Sequence, residues 1–263
     1  PYRRQRQMCI RDRMIIDSHC HLLSMEYENV DEQIKMAIEN GVTKMIINGY
    51  DLKSSMEAVS LANKYKEVYA AVGIGPENIE GVGDFELKKI KELALNKKVV
   101  AIGEIGLDYY WTKENKQEQI EIFKRQLMIA ESLHLPVIVH SRESILDTYN
   151  LLNEYNVTGI LHCYSGSLEM ANRFIKKGFL IGIGGVVTFK NAKKVKEVVK
   201  EIPITSISLE TDSPYLTPEP YRGKPNNPLY LKYIIKEISD LKGISKDEVK
   251  NVTSQNVMSK FDL

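Results

Sequence analysis

The stretch Met14–His21, which reads MIIDSHCH, decides the fold and begins a candidate site. Its three leading apolar residues, two of them β-branched, predict a short buried strand. Asp17, His19 and His21 follow at alternate positions, and the two-residue period of a strand puts them on one face. Two imidazoles on one face can bind one metal ion without moving the backbone. The alternative is that both histidines are ordinary polar residues at the end of a strand.

Strands and helices are predicted to alternate through the rest of the chain. Further strands are expected at 44–47, 68–72, 99–102, 137–139, 159–161, 179–183 and 206–209, and helices at 29–40, 53–66, 84–96, 117–134, 143–155, 168–177, 191–200, 228–241 and 246–260. Eight strand–helix units in about 250 residues indicate an α/β fold, a (β/α)₈ TIM barrel with two extra C-terminal helices. A doubly wound sheet is the competing architecture. No linker or change in composition divides 14–263, so we expect one domain there.

Composition restricts the classes of partner. The chain has 263 residues, of which 43% are hydrophobic and 27% charged, and its net charge is +1. Five arginines against one aspartate give residues 1–13 a charge of about +4, which leaves about −3 for the remainder. The body is therefore not a basic nucleic-acid clamp.

The segment 1–13 has no periodicity and no apolar core of a signal peptide. We interpret it as a non-native or disordered basic extension before a natural start at Met14; a transit peptide and a nucleic-acid-binding arm are the alternatives. No stretch approaches the roughly 18 apolar residues of a membrane span. Cys9, Cys20 and Cys163 form no Cys-x-x-Cys motif, and we expect no disulfide framework, small core roles for Cys20 and Cys163, and a cytoplasmic location.

Metal-ligating residue types recur at the predicted strand ends. Parallel strands of a barrel end on one face, so these residues are expected to form one pocket. The candidate ligands are His19, His21, Glu104, His140, His162 and Asp212.

Six such ligands exceed what one tetrahedral ion needs, which indicates two divalent ions with a bridging carboxylate. Glu104 is the candidate bridge. Nitrogen and oxygen ligands without thiolate suit Zn²⁺, Mn²⁺ or Mg²⁺. Asp212 is expected to orient the attacking water and accept its proton, so Glu104 and Asp212 are the candidate catalytic residues. His134 ends a helix and is interpreted as a surface or capping residue.

Five motifs in order resemble the TatD family of metal-dependent deoxyribonucleases, within the amidohydrolase superfamily. They are DSHCHL (17–22), IGEIGLDYYW (102–111), LPVIVHSRE (135–143), LHCYSG (161–166) and LETDSPYLTP (209–218). The resemblance implies a TIM barrel and a divalent-metal hydrolase that acts on DNA phosphodiesters, often exonucleolytically. It also implies the same six ligands.

Two features are candidates for substrate binding. In the loop YRGKPNNP (221–228), Arg222 and Lys224 could hold a phosphate, or the loop is a solvated turn. Tyr109 and Tyr164, like Tyr110 and Trp111, flank the ligands and could stack on a nucleobase, although core packing is an equal explanation for some of them.

One position departs from the family pattern. After the third strand the family usually reads G-x-H-P, with a histidine that faces the substrate, whereas this chain has Gly75 before Pro76 and Glu77. The contribution of that histidine is therefore lost, moved to Glu77 or supplied by Tyr109. A carboxylate at this place would repel a phosphate.

Three hypotheses follow. The first is a deoxyribonuclease that acts as a monomer on single-stranded or frayed DNA ends. The second is an amidohydrolase-type enzyme for esters, amides or small phosphoesters. The third is a metal-binding protein without catalysis.

Overall fold

A parallel eight-stranded barrel forms the centre of the computed structural model, which describes residues 14–263. Each strand pairs in parallel with the next in sequence, from β1 to β8. The strands are β1 (Ile16–Cys20), β2 (Lys44–Asn48), β3 (Val68–Val72), β4 (Val99–Asp108), β5 (Val137–Arg142), β6 (Gly159–Leu161), β7 (Leu180–Ile183) and β8 (Ile207–Leu209). The TIM barrel is confirmed, and the interpretation of residues 1–13 lies outside the described residues.

Helices follow the strands as the apolar spacing predicts. They are α1 (Val30–Glu39), α2 (Leu52–Lys64), α3 (Asp84–Leu93), α4 (Lys116–Leu133), α5 (Ile145–Asn153), α6 (Leu168–Lys176), α7 (Lys193–Glu201), α8 (Leu231–Lys242) and α9 (Lys246–Phe261). Local capping fixes several starts. At α2 the Asp51 carboxylate accepts the Ser54 N–H at 2.7 Å. The helices α8 and α9 are the two predicted C-terminal additions, and no helix in the described part of the chain is long and apolar enough to cross a membrane.

The strands β4 and β5 are longer than predicted. The sequence pattern predicts that they end at 102 and 139, but they stay paired through Gly106 with His140 and Asp108 with Arg142. Glu104 and His140 therefore lie within strands instead of after them. Glycines and acidic residues in 103–108 are depleted in strands generally, which is why this extension did not show in the pattern.

Side-chain hydrogen bonds join β1 to β8 and to the segment after it. The Ser18 hydroxyl donates to the Leu209 carbonyl at 2.9 Å. The Asp17 carboxylate accepts the Thr211 N–H at 3.0 Å and the Thr211 hydroxyl at 2.5 Å. Burial raises the pKa of Asp17 to about 7, against the lowering effect of these hydrogen bonds. Asp17 thus holds the barrel closed beside His19.

The barrel interior is apolar at the end where the strands begin. Ile16, Ile46 and Ile138 belong to a buried cluster inside the sheet, and Val257 and Phe261 of α9 pack against it. A second cluster fills the space between the sheet and the outer helices. Because α9 covers one end of the barrel, the opposite end, where the strands finish, is left for a site.

Candidate metal centre

The six candidate ligands meet at the C-terminal end of the barrel. His19 lies in β1, Glu104 in β4 and His140 in β5. His21 and His162 directly follow β1 and β6, and Asp212 lies three residues beyond the end of β8. Their ligand atoms form three overlapping groups of three, with all atoms of a group within 4.8 Å of one another. The geometry brings together the whole predicted set, and its role as ligands stays a prediction.

Glu104 lies between two pairs of histidines. Its Oε2 is 3.5 Å from His19 Nε2 and 3.3 Å from His21 Nε2. Its Oε1 is 3.0 Å from His140 Nδ1 and 3.1 Å from His162 Nε2. One carboxylate thus presents a different oxygen to each pair, as a residue bridging two ions would.

Asp212 lies beside the pair formed by His19 and His21. Its Oδ1 lies 3.4 Å from His19 Nε2 and 3.5 Å from His21 Nε2. The Asp212 backbone is left-handed, with φ of 55°, and its N–H donates to the His19 carbonyl at 2.9 Å. A non-glycine residue with positive φ is uncommon and often marks a functional position.

The donor set fits divalent metal ions. His19 Nε2 and His21 Nε2 are 3.0 Å apart, and so are His140 Nδ1 and His162 Nε2. Nitrogen lone pairs that converge in this way are what chelation requires, and the two carboxylates supply compensating negative charge.

Nearby carboxylates raise the pKa values of three of the histidines. Burial lowers the pKa of His19 and His21, but hydrogen bonds to Asp212 and Glu104 raise it, to about 9 and about 10 respectively. The pKa of His140 is likewise raised to about 10, since the bonds to Asp108 and Glu104 outweigh burial.

The pKa values of the remaining ionisable groups in the cluster are lowered. Burial and the nearby charge of His19 lower the pKa of His162 to about 4, so this imidazole is neutral near pH 7. Burial alone would raise the pKa values of Glu104 and Asp212, but charges and hydrogen bonds from the histidines hold both below their ordinary values.

Two residues outside the predicted set orient the histidines. His140 Nε2 donates to the buried Asp108 carboxylate at 2.9 Å, and His21 Nδ1 donates to the Asn48 carbonyl at 2.9 Å. Such partners fix the tautomer and the ring orientation of a metal-ligating histidine. Asp108 is detectable in sequence only as a carboxylate four residues after Glu104, in a segment that resembles a loop.

A cavity of about 700 Å³ opens above the cluster. Three aromatic residues, Tyr50, Trp111 and Tyr215, are part of its lining. Its charged residues outside the candidate ligand set are Arg142, Glu26 and Glu77.

Glu26 connects two of the aromatic side chains. Its Oε1 accepts the Tyr50 hydroxyl at 3.1 Å and the Tyr215 hydroxyl at 3.0 Å. Both rings also contact His21, with centroids 5.5 and 6.3 Å from the imidazole. The charge of Glu26 is therefore partly satisfied within the wall of the cavity.

The four residues predicted to bind substrate lie outside this lining. Tyr109 and Tyr164 are buried, and their hydroxyls donate to Asp147 at 3.1 Å and to the Ser167 carbonyl at 2.7 Å. The Arg222 guanidinium lies 4.4 Å from the centre of the Phe189 ring, and Lys224 Nζ lies 5.7 Å from the centre of the Tyr221 ring. Their substrate-binding roles stay predictions.

Gly75 and Glu77 both line the cavity, while Cys163, expected in the core, also lies there. A Cβ atom on Gly75 would come no closer than 3.5 Å to another residue, so a methyl group there would make ordinary van der Waals contacts. Cys20 is buried as expected, and His134 is exposed at the C-terminus of α4.

Comparisons with known proteins agree with this geometry. The family model described as TatD related DNase matches residues 16–262. The Bacillus subtilis protein named uncharacterized metal-dependent hydrolase YabD is 41% identical over 252 residues, covering 94% of this chain and 99% of that protein. Escherichia coli K12 YcfH, with the same description, is 34% identical over 256 residues, covering 95% of this chain and 96% of that protein. The crystal structure of the E. coli K12 TatD homolog YJJV superposes with a TM-score of 0.87 at 30% identity, covering 95% of this chain and 98% of that one.

Proposed function

Because this chain is a metal-dependent hydrolase of the TatD family, we propose that it hydrolyses DNA phosphodiester bonds and removes nucleotides from single-stranded or frayed ends. The observation that carries the proposal is Glu104, whose two oxygens face two separate histidine pairs. Paired metal sites with a shared carboxylate are typical of enzymes that cleave phosphoesters.

We assign one ion to each side of Glu104. His19, His21 and Asp212 would hold one, and His140 and His162 the other. Divalent ions held there supply, when bound, an acidified water near neutral pH and stabilisation of charge that develops on a phosphoryl oxygen.

Asp212 handles the proton of the reaction. Its carboxylate is ionised at neutral pH, because the histidines keep its pKa below the ordinary value. Water attacks phosphorus and Asp212 takes the proton of that water. The bond from phosphorus to the leaving sugar oxygen then breaks, and that oxygen takes up the proton from Asp212, which restores the carboxylate. Asp212 thus serves as ligand and as base.

The cavity has the size and surface for a strand end. About 700 Å³ lies within the usual range for small-ligand sites and accommodates a nucleotide. The rings of Tyr50, Trp111 and Tyr215 offer faces on which bases of any sequence can stack. A body near neutral charge favours capture of an end over tight binding along a duplex.

The test is degradation of end-labelled single-stranded DNA. Metal-stripped protein receives Mg²⁺, Mn²⁺ or Zn²⁺, with Asp212→Asn as the control. Stepwise shortening that needs metal and is lost in the control is expected. No cleavage despite metal uptake would contradict the proposal.

The acidic lining gives a second candidate function. Glu26 and Glu77 face the same cavity and would repel a polyanion, which favours a neutral ester or amide substrate. Hydrolysis of carboxylic esters or amides without cleavage of DNA would identify this case.

We also propose that the chain works as a cytoplasmic monomer. Size-exclusion chromatography with light scattering and cell fractionation test these two points.

A further inference from the structure

Arg142 lies in the cavity wall and is not one of the candidate metal ligands. We propose that Arg142 binds the phosphate group of the substrate and that Tyr110 and Trp111 position its guanidinium. This rests on the proposed function, because it takes the substrate to be a nucleotide chain.

The extension of β4 and β5 builds this arrangement. Asp108 pairs with Arg142, and the Tyr109 N–H donates to the Arg142 carbonyl at 2.9 Å. Tyr110 and Trp111, which follow Tyr109 in sequence, are thereby held beside Arg142. The guanidinium carbon lies 3.6 Å from the centre of the Tyr110 ring and 5.3 Å from that of Trp111.

These two rings restrict the arginine without neutralising it. They stand edge to face, with centroids 4.8 Å apart at 82°. A guanidinium stacked on a ring uses its flat face, so its N–H groups, which point outward in the plane, stay available. Within residues 14–263, no carboxylate lies within 4.0 Å of the Arg142 guanidinium and no side-chain hydrogen bond occupies it.

The positive charge of Arg142 indicates that its ligand is an anion. Among the described residues that line the cavity, Arg142 alone carries a permanent positive charge. An arginine edge matches two oxygens of a phosphate with parallel, charge-assisted hydrogen bonds. A half-buried arginine with no carboxylate partner is therefore suited to a phosphate.

Position connects this phosphate to the metal centre. His140 and Arg142 are two residues apart in β5, which separates their Cα atoms by roughly 6.6 Å and puts both side chains on the same face. A phosphate held by Arg142 thus lies within one nucleotide of the candidate ligands. Glu26 follows β1, four strands from β5 in an eight-stranded barrel, so the anion is placed across the cavity from that carboxylate.

The single tryptophan of the chain provides a direct probe. Trp111 lines the cavity, and 65% of its surface is exposed, so its fluorescence reports occupancy. Thymidine 5′-monophosphate and thymidine are titrated separately into protein in Mg²⁺ buffer. Calorimetry of the same pairs guards against a change in emission caused by a substitution itself.

We expect the nucleotide to bind at least tenfold more tightly than the nucleoside, and Arg142→Ala to abolish this difference. Arg142→Lys keeps the charge but not the paired hydrogen bonds, and should retain part of the difference. Arg173→Ala is the matched control, since Arg173 is an arginine of α6 outside the cavity lining, paired with Glu169 at 2.8 Å. Circular dichroism melts verify that each variant is folded.

Three results would overturn the assignment. The first is equal binding of nucleotide and nucleoside by the wild type. The second is nucleotide binding by folded Arg142→Ala that is as tight as that of the wild type. The third is that Arg222→Ala loses nucleotide binding while Arg142→Ala keeps it. The outcome is separable from that of the proposed function. Phosphate-dependent binding without DNA cleavage supports Arg142 and contradicts the nuclease, whereas cleavage at an unchanged kcat/KM in Arg142→Ala contradicts Arg142 alone.

Discussion

Thr211→Val should destabilise the barrel at its closure, and by more at high pH than at low pH. Valine has nearly the volume of threonine, so packing is kept while the hydroxyl is lost. That hydroxyl donates to the fully buried Asp17 carboxylate at 2.5 Å, and the Ser213 N–H also loses an acceptor at 3.3 Å. Leaving a buried acceptor without its partner costs about 1–3 kcal/mol.

The pH dependence comes from Asp17 itself. Its pKa is about 7 in the folded chain and near the ordinary 3.8 when unfolded, so its contribution to stability is present below about pH 4 and is lost as pH rises towards 7. The bond from Thr211 lowers this pKa, so its removal raises the pKa further and enlarges the loss. At pH 5 the carboxyl is protonated with or without the hydroxyl, and the effect of the substitution is smaller.

Urea unfolding at pH 5 and pH 8 measures both effects. With a denaturant slope of about 3 kcal/mol per M, a loss of about 2 kcal/mol moves the midpoint by about 0.7 M at pH 8. Thr253→Val is the matched control, because the buried Thr253 hydroxyl donates at 2.7 Å to the carbonyl of Val249 inside α9 and leaves no charge unpaired. Equal losses in the two variants, or a Thr211→Val loss that is the same at both pH values, would refute the reasoning.

Three further predictions concern the centre and its strands. Asp108→Ala should weaken divalent-metal binding about 10–100-fold in calorimetry, because His140 loses the acceptor that orients it, while Asp147→Ala leaves it unchanged. Metal uptake at pH 7 should release protons, and affinity should rise with pH to about 10, because the histidines with raised pKa values must deprotonate. Calorimetry in two buffers of different ionisation enthalpy detects this release, and uptake without proton release would contradict the prediction. Gly106→Ala should cost at least about 3 kcal/mol in urea unfolding, since φ is +145° and its Cβ would lie 2.0 Å from the His140 carbonyl oxygen, whereas Gly75→Ala should unfold like the wild type.

The fold and the candidate ligands could be predicted because both depend on short-range patterns. Apolar runs fixed the eight strands, and parallel strands in a barrel necessarily bring their ends together. His19 and Asp212 are 193 positions apart in sequence, yet each required only its own strand to be recognised.

The residues that line the cavity could not be predicted in the same way, because they depend on side-chain direction beyond the strand ends. Tyr109 and Trp111 are two positions apart, but the Tyr109 hydroxyl turns to Asp147 whereas Trp111 lines the cavity. The directions of these side chains follow from the unpredicted extension of β4 and β5. The same extension places Arg142 beside the Tyr110 ring. Arg222 resembles a phosphate ligand equally well in sequence, but its position over Phe189 emerges only from the folded loop.

Opposite charges in the centre keep its two carboxylates ionised. Two carboxylates buried together would repel each other, and either would protonate if left alone. Here the histidine nitrogens lie within hydrogen-bonding or ion-pair distance of Glu104 and Asp212, and the protons they share keep both carboxylates ionised. His162 remains neutral against the same charges. Since metal ions would take the place of these protons as the positive charge between the same carboxylates, metal binding should displace protons and keep both carboxylates ionised.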